Sequence, residues 1–297
     1  MFSEFELFEP RDLREAIAIL TELGGRARPF AGGTDLFVEM REGRTKPEYL
    51  VDIKRLEELK GIAFGDDGLV TIGALTTLRD LERSAALREK LPILYDALCQ
   101  MGSVQIRTQA TIGGNLCNGH ASADGTAALM ALGARLQVQG SQGRREIAVE
   151  DFFSGAHKTV LQAGDILTHI RVTAGAPGSG GAYAKYTVRK AMDAALVGVG
   201  VFLQTEQSGA VCRAARIALA TTGPRPERAL RAEAMLGGQR LDEALFERAG
   251  AAAAEEANVV GNWRAPEDYT RHLIKVMLQE VARQAWKRAG GRGREAS

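Results

Sequence analysis

Residues 111–119 read TIGGNLCNG, and residues 29–36 read PFAGGTDL. Each stretch places a Gly-Gly pair at the end of a run that favours a β-strand, with Thr, Asn or Asp beside it. Because glycine has no Cβ, main-chain N–H groups at such a turn can approach an anion closely, and a helix that begins there adds its own free N–H groups. Two such turns predict a diphosphate held between two loops, although either turn alone also fits a simple reversal of the chain.

The composition is that of an ordinary folded protein and excludes several classes of function. The chain has 297 residues, of which 45% are hydrophobic and 25% charged, and this length allows two domains. Its formal net charge is +1, so no electrostatic argument favours nucleic acid or an anionic membrane as a partner. No run approaches the roughly 18 apolar residues of a membrane span, and the N-terminus has no secretory signal, so we expect a cytoplasmic protein.

The cysteines limit the redox chemistry that this chain can support by itself. Cys99, Cys117 and Cys212 are far apart, odd in number and form no CxxC motif, which argues against a disulfide framework. Three thiolates cannot build a four-thiolate iron–sulfur cluster, so any iron–sulfur chemistry requires another subunit. Cys117 is interpreted as a small packing residue.

The first 55 or so residues predict a small βαβ-type unit. Asp12 begins a capping-box-like helix start with Glu15 three residues later, and Gly24-Gly25 ends that helix. ARPFA predicts a short strand and EYLVDI another, with Thr34 or Asp35 capping the helix between them.

The next stretch predicts a mixture of strands and helices. Its predicted elements are a strand in GLVTIGAL, helices over Thr77–Arg88 and Ile93–Met101 separated by Pro92, a turn at TIGGN, a helix opened by Asp124, and strands in ARLQVQG, REIAVEDF and DILTHIRV. The Gly-rich run AGAPGSGG (174–181) then predicts a linker.

After the linker the chain predicts two β-runs joined at Ser208-Gly209, followed by helices. The last helix is predicted from about Pro266 to Ala289, with Tyr269, Leu273, Val276, Met277 and Val281 on one face. We therefore predict one domain over 1–175 (subdomains about 1–56 and 57–175), a C-terminal domain over 176–290 and a tail over 291–297. Gly198 and Gly200 form a GxG, but Leu203 stands where a third glycine belongs, which disfavours a Rossmann site.

Four ordered motifs resemble one known family, the FAD-binding medium subunits of molybdenum hydroxylases, a group that contains xanthine dehydrogenases and aerobic carbon monoxide dehydrogenases. AGGTDL (31–36) resembles the family's first flavin loop, and IRTQATIGGNLCN (106–118) its second. Asp124 with the following AALMALGARL resembles a third segment, and AYAKYTVRKAMDAALVGVGV (182–201) resembles the F-x-K-x-x-R-x-x-x-D-x-A start of the C-terminal domain.

The resemblance implies an α+β fold: a PCMH or vanillyl-alcohol-oxidase type FAD-binding domain of two α/β subdomains, followed by a smaller α/β C-terminal domain. It also implies that FAD is bound by Pro29, Phe30, Ala31, Gly32, Gly33, Thr34, Asp35, Leu36, Met101, Thr111, Gly114, Asn115, Asp124, Ile166, Leu167 and Lys185. Residues 29–36 and the second loop would hold the diphosphate, Asp124 would accept a hydrogen bond from FAD, and Lys185 would lie near the isoalloxazine edge, where its charge favours reduced, anionic flavin. Met101 would lie against the flavin ring, and Ile166 and Leu167 would contact the flavin through their backbone.

Several of these residues also have simpler interpretations. Asp124 could be the N-cap of its helix, Lys185 a solvated strand lysine, and Met101 a plain core residue, while Ile166 and Leu167 are core residues in any interpretation. The chain departs from the family at Gly119 and His120. His120 could be a proton donor near the flavin or merely a hydrogen-bonded loop residue.

The resemblance implies an electron-transfer subunit. A large partner subunit would hold a molybdenum–pterin site, a small one would carry two [2Fe–2S] clusters, and electrons would pass through FAD in this chain to an external acceptor such as NAD, a quinone or oxygen. The family pattern is a dimer of heterotrimers. The alternatives are a free-standing flavin oxidase or dehydrogenase, for which His120 and Tyr183 are the candidate bases, and a scaffold protein, in which the two glycine turns would have no task.

Overall fold

The computed structural model describes residues 4–189, 191–221 and 223–291, and its first unit is a small parallel sheet with helices. Asp12 caps the first helix by accepting a hydrogen bond from the Glu15 amide at 2.8 Å, as predicted. The strands run parallel in the order β1-β3-β2, which confirms the βαβ prediction. The elements are β1 (Glu6–Phe8), α1 (Leu13–Leu23), β2 (Ala27–Phe30), α2 (Leu36–Arg41) and β3 (Tyr49–Asp52).

The second unit is an antiparallel sheet of five strands, in the order β4-β5-β10-β6-β7, with six short helices inserted between its second and third strands in sequence. Its core is formed by apolar residues of the sheet and of these helices. The elements are β4 (Ile62–Phe64), β5 (Leu69–Gly73), α3 (Leu78–Arg83), α4 (Ala85–Lys90), α5 (Pro92–Cys99), α6 (Val104–Gln109), α7 (Ile112–Cys117), α8 (Asp124–Ala131), β6 (Arg135–Gly140), β7 (Gly143–Ala148), β8 (Phe153–Gly155), β9 (Lys158–Thr159) and β10 (Ile166–Thr173).

The helix boundaries of this unit differ from the prediction in two places. The helix predicted over Thr77–Arg88 is two helices, because Ser84 ends α3 and its hydroxyl caps α4 by accepting from the Leu87 amide at 3.1 Å. Pro92 marks the boundary between the two predicted helices, as expected, and is itself the first residue of α5, where a missing N–H costs nothing. The TIGGN segment is the start of a helix, α7, rather than a plain turn.

The third unit is an antiparallel sheet in the order β11-β12-β13-β14, covered by helices. Its elements are β11 (Ser179–Tyr186), β12 (Val197–Thr205), β13 (Cys212–Ala220), β14 (Glu227–Arg228), α9 (Leu230–Leu236), α10 (Glu243–Glu256) and α11 (Glu267–Arg288). The GxG of β12 has a packing role. A Cβ on Gly200 would lie 3.1 Å from the Ala127 carbonyl oxygen of α8, so this glycine lets that helix approach the sheet, while Gly198 makes room for the Tyr183 ring.

Two expectations for this unit were wrong. The Gly-rich run taken as a linker already contains the start of β11, where Gly180 lies so close to the backbone of α11 that a Cβ would overlap it. On α11, Leu273, Met277 and Val281 are buried as predicted, but Tyr269 and Val276 are 40% and 46% exposed. The buried face of α11 instead continues through other residues: Thr270, Ile274, Leu278, Ala282, Ala285 and Trp286.

Among the described residues, none of the helices combines the length and the apolar character needed to cross a bilayer.

Candidate functional site

The fold brings the two glycine turns into contact. We call residues 31–36 the first glycine loop and residues 109–115 the second glycine loop. A Cβ on Gly32 would overlap the carbonyl oxygen of Gln109 and lie 2.9 Å from the Ala110 Cα. Two backbones therefore meet at a point that only glycine permits, although the loops are about 80 residues apart in sequence.

The first glycine loop carries unused hydrogen-bond donors. In the described part of the chain, the amide groups of residues 32–36 donate no hydrogen bond to protein. Gly33 has a φ of +69°, a backbone conformation that L side chains rarely adopt. Asp35 occupies the N-cap position of α2, but its side chain does not cap the helix. Five consecutive free amides form a site that suits a polyanion.

We predicted that the second glycine loop, like the first, offers free main-chain amides to the diphosphate. Its amides at residues 112–115 are instead hydrogen-bonded within the protein. The Ile112 and Gly113 amides donate to the Thr76 and Ala74 carbonyl oxygens at 3.1 and 2.9 Å. Thr111 caps α7, because its hydroxyl accepts from the Gly114 amide at 3.0 Å and its carbonyl from the Asn115 amide. These contacts fix the loop rigidly against the sheet and leave side chains as its free donors.

Asn115 supplies such a donor. Its Oδ1 is buried without a hydrogen-bond partner and faces Gly125, where a Cβ would lie only 2.8 Å away. Its amide nitrogen is not buried and has no partner among the described residues. Asn115 therefore has an unused side-chain donor at the second glycine loop.

Asp35, Cys117 and His120 have the character of residues that line a cleft. All three are exposed to solvent. Nevertheless, burial raises the pKa of Asp35, lowers that of His120 and raises the pKa of the Cys117 thiol to about 12. The charges of Asp35 and His120 act on each other, and we call the space beside the two glycine loops that these residues border the cleft. The expectation that Cys117 is packing material was therefore wrong.

His120 is a hydrogen-bonded residue in this cleft. Its Nδ1 accepts from the Ser122 amide at 3.1 Å and lies 2.9 Å from the Ser122 hydroxyl. Because a main-chain N–H can only donate, Nδ1 is unprotonated and the ring proton is on Nε2. Its ring meets that of His157 edge-on at 5.0 Å, and the charges of His157, Asp35, Arg264 and Arg44 act on it.

Asp124 and Lys185 form a buried ion pair. Lys185 Nζ lies 2.9 Å from Asp124 Oδ2, and the two side chains are 8% and 9% exposed. Asp124 Oδ1 accepts a hydrogen bond from the Tyr183 hydroxyl at 2.5 Å. The N-cap of α8 is Ala123, so the N-cap interpretation of Asp124 was wrong, as was that of Lys185 as a solvated lysine. Tyr183 is 2% exposed and bonded to a carboxylate, which disfavours it as a base for a free-standing oxidase.

Three predicted residues lie in the core. Met101 is 5% exposed, in agreement with the plain-core interpretation, and its carbonyl accepts a hydrogen bond from Arg107 at 2.7 Å. Ile166 and Leu167 are 3% and 5% exposed and begin β10, before the segment of that strand that pairs with β5. Ile166 packs in the core of the first unit and Leu167 in that of the second, so β10 begins where the two units meet.

Sequence reasoning missed several residues of the site. His157, in the β8–β9 hairpin, was not considered, and Tyr183 was considered only as a base. Tyr183 and Lys185 are two residues apart on one strand, so a period of two was the signal that both face Asp124. A separate cavity of about 460 Å³ between β4 and α3 contains none of the predicted residues.

Two family models match the chain in order. The FAD binding domain in molybdopterin dehydrogenase matches residues 3–173, and the CO dehydrogenase flavoprotein C-terminal domain matches residues 182–285. The chain belongs to the family of FAD-binding medium subunits of molybdenum hydroxylases. This medium subunit is thus of the oxidoreductase class, and the predicted fold class is confirmed.

Relatives of this medium subunit agree with the assignment. The carbon monoxide dehydrogenase medium chain of Afipia carboxidovorans is 36% identical over 286 residues, which cover 96% of this chain and 98% of that one. The xanthine dehydrogenase FAD-binding subunit of Escherichia coli O157:H7 is 29% identical and covers 98% and 99% of the two chains. A solved structure of carbon monoxide dehydrogenase from Hydrogenophaga pseudoflava contains a chain that superposes with a TM-score of 0.93 at 32% identity, covering 97% of this medium subunit and 99% of that chain.

The residues present fit FAD. Free amides at 32–36 suit a diphosphate, the glycine contact between the loops leaves no side chain in the way, and Asn115 offers an unused donor with an orphan acceptor. A dinucleotide needs donors from more than one segment, and the cleft supplies them.

Proposed function

We propose that this chain binds FAD in the cleft between its two glycine loops and passes electrons from a partner's iron–sulfur clusters to an external acceptor. The observation that carries the proposal is the row of unpaired amides at residues 32–36, held against the second glycine loop. FAD supplies the redox chemistry, because a flavin accepts single electrons and releases pairs. The task of the protein is to bind it, orient it and set its electrostatic surroundings.

The diphosphate is assigned to the first glycine loop and to side chains of the second. Pro29, Phe30 and Ala31 lead into the loop, and the amides of residues 32–36 donate to phosphate oxygens. Thr111 and Gly114 form the capped turn that holds the loop in place, and Asn115 donates its side-chain amide.

The isoalloxazine end is assigned to Lys185, Asp124, Ile166 and Leu167. Lys185 has three N–H donors, of which Asp124 and the Asp193 carbonyl take two, at 2.9 and 3.3 Å. The third is left for FAD. Ile166 and Leu167 offer main-chain groups at the start of β10. Met101, whose side chain is buried, contributes as support for the ring-side wall rather than as an exposed surface.

The partners follow from the family. We propose a large molybdenum–pterin subunit and a small subunit with [2Fe–2S] clusters, assembled as a dimer of heterotrimers in the cytoplasm. The C-terminal domain from about residue 176 and the FAD-binding domain of residues 1–175 are proposed as the organisation of this chain. The medium-chain relatives that cover nearly its full length support this arrangement.

The direct test is a titration of the purified full-length chain with FAD. We expect one FAD per chain, quenched or shifted flavin fluorescence, and no hydroxylation of an organic substrate by the chain alone. Pull-down of the native complex should recover molybdenum and four iron atoms per medium subunit, the content of two [2Fe–2S] clusters. A chain that does not bind FAD, or that turns over a substrate without partners, contradicts the proposal.

A further inference from the structure

Tyr183 makes the shortest contact in the buried cluster formed by Asp124, Lys185 and Tyr183. The Asp124 carboxylate uses one oxygen for each partner: Oδ1 accepts from the Tyr183 hydroxyl at 2.5 Å, and Oδ2 from Lys185 Nζ at 2.9 Å. All three groups are almost completely buried. A hydrogen bond from a neutral hydroxyl to a buried carboxylate is a strong interaction, because no water competes for either group.

A glycine on the neighbouring strand leaves room for this hydroxyl. Tyr183 and Lys185 alternate on one face of β11, and the cross-strand partner of Lys185 is Gly198. A Cβ on Gly198 would overlap the Tyr183 hydroxyl oxygen, so the glycine is what lets the ring lie across β12. A Phe at position 183 would fill the same space without the hydrogen bond.

Other charges near α8 are engaged elsewhere. Asp96 on α5 pairs with Arg288, at 2.5 Å. Arg216 on β13 pairs with Glu150, at 3.0 Å. On β14, Arg228 pairs with Glu150 and Glu233. Lys185 and Tyr183 are therefore the groups whose charge and hydrogen bonding act on Asp124.

We propose that Tyr183 is a positioning residue: its hydroxyl keeps Asp124 ionised, so that Asp124 and Lys185 present a fixed, compensated charge to the redox cofactor. The inference rests on the proposed function, because it needs FAD near Lys185. Burial raises the pKa of Asp124, because a charged carboxylate is less well solvated inside the protein, and the Lys185 charge and the Tyr183 hydrogen bond act against this rise. Without the hydroxyl, Asp124 takes up a proton at a higher pH, and the charge of Lys185 is left uncompensated.

The predicted consequence concerns the ratio of the dissociation constants of oxidised and reduced FAD. This ratio should change with pH as Asp124 titrates, and in Tyr183→Phe the change, which we call the pH step, should occur at a higher pH. When Asp124 is protonated, the bare Lys185 charge favours reduced, anionic FAD over oxidised FAD. Losing a hydrogen bond to a charged group raises the proton affinity of Asp124 by roughly tenfold to a hundredfold, which is roughly one to two pH units. Within that window, Tyr183→Phe should prefer reduced FAD more strongly than the wild-type chain does.

The experiment measures the dissociation constants of oxidised and reduced FAD for the full-length chain from about pH 5 to pH 9. Tyr183→Phe is compared with wild type and with Tyr186→Phe, which removes a hydroxyl from the same strand at an exposed tyrosine whose partner is Tyr269. Gly198→Ala is the second variant, since it keeps the tyrosine but displaces its hydroxyl. The carboxylic acid C=O infrared band of the FAD-free chain, assigned by its loss in Asp124→Asn, reports the same titration without cofactor.

We expect the step in Tyr183→Phe and in Gly198→Ala to lie above that of wild type, and Tyr186→Phe to follow wild type. The inference would be overturned if the step of Tyr183→Phe coincided with that of wild type, or if Tyr186→Phe displaced it equally. It would also be overturned if neither wild type nor Tyr183→Phe showed a step over this pH range. Failure of the wild-type chain to bind FAD at all would instead reject the proposed function.

Discussion

The contact between the two glycine loops can be tested at Gly32. In Gly32→Ala, the new methyl group would overlap the Gln109 carbonyl oxygen and lie 2.9 Å from the Ala110 Cα. Both are main-chain atoms of the second glycine loop. The Ile112 and Gly113 amides of that loop donate hydrogen bonds to the Thr76 and Ala74 carbonyl oxygens. The loop cannot move without breaking those bonds, so the first glycine loop must move instead.

The magnitude follows from the cost of overpacking. Forcing a methyl group into a filled site costs about 1–3 kcal/mol, which corresponds to a factor of roughly 5 to 150 in an equilibrium constant. If the displaced loop relaxes, the loss is seen in the dissociation constant of FAD, because the amides of residues 32–36 leave their positions. If it does not relax, the loss is seen in the free energy of unfolding.

Two measurements on the same sample separate these outcomes. Urea unfolding followed by circular dichroism gives the stability, and flavin fluorescence gives the dissociation constant. Gly25→Ala is the matched control, since a Cβ there has no neighbour within 4 Å and its φ is not in the left-handed region. If Gly32→Ala matched both the wild-type stability and the wild-type affinity, the two loops would not be in contact, and the reasoning would be refuted.

Three further changes test other parts of the site. Gly113→Ala would place a Cβ 2.6 Å from the Ala74 Cβ and 2.7 Å from its carbonyl oxygen, so urea unfolding should show a loss of about 1–3 kcal/mol; unchanged stability would contradict the packing. Asn115→Asp replaces a donor by a negative charge, and a fluorescence titration should show FAD binding at least about tenfold weaker, with equal affinity as the contrary result. Arg107 donates a hydrogen bond to Glu82 at 3.0 Å and lowers the pKa of Glu82. The pair therefore stabilises the fold at pH values above the ordinary glutamate pKa, and this stabilisation is lost as the pH falls through the lowered pKa. Glu82→Gln should therefore destabilise the chain by about 3–5 kcal/mol at pH 7 in urea unfolding and by much less near pH 3, and a pH-independent difference would exclude this pair as its source.

The sequence predicted those parts of the fold that local chemistry determines. The cap at Asp12, the strand-helix-strand unit that follows it and the hairpin around Ser208-Gly209 depend on residues close in sequence, and the structure has them. The four ordered motifs identified the family and its order of domains. Asp124 and Lys185 were predicted as FAD-binding residues, which stays a prediction, and their pairing with each other was not predicted.

Two of the misses have a common cause, because each depends on a partner distant in sequence. Gly180 looks like linker material until the backbone of α11 lies against it in β11. The Ile112 and Gly113 amides of the second glycine loop look free until the segment after β5 lies beside them and its Thr76 and Ala74 carbonyl groups accept their hydrogen bonds. No local pattern distinguishes a glycine that frees an amide for a ligand from a glycine that permits close packing.

The most direct test of the central claim is hydrogen exchange of the full-length chain with and without FAD, resolved at individual amides. Without FAD, the amides of residues 32–36 should exchange rapidly, while those of residues 112–115, which already donate within the protein, should be protected. On addition of FAD, residues 32–36 should gain strong protection and residues 112–115 should change little. Protection that appears elsewhere, with residues 32–36 still exchanging freely in the FAD-bound chain, would contradict the assignment of the diphosphate to the first glycine loop.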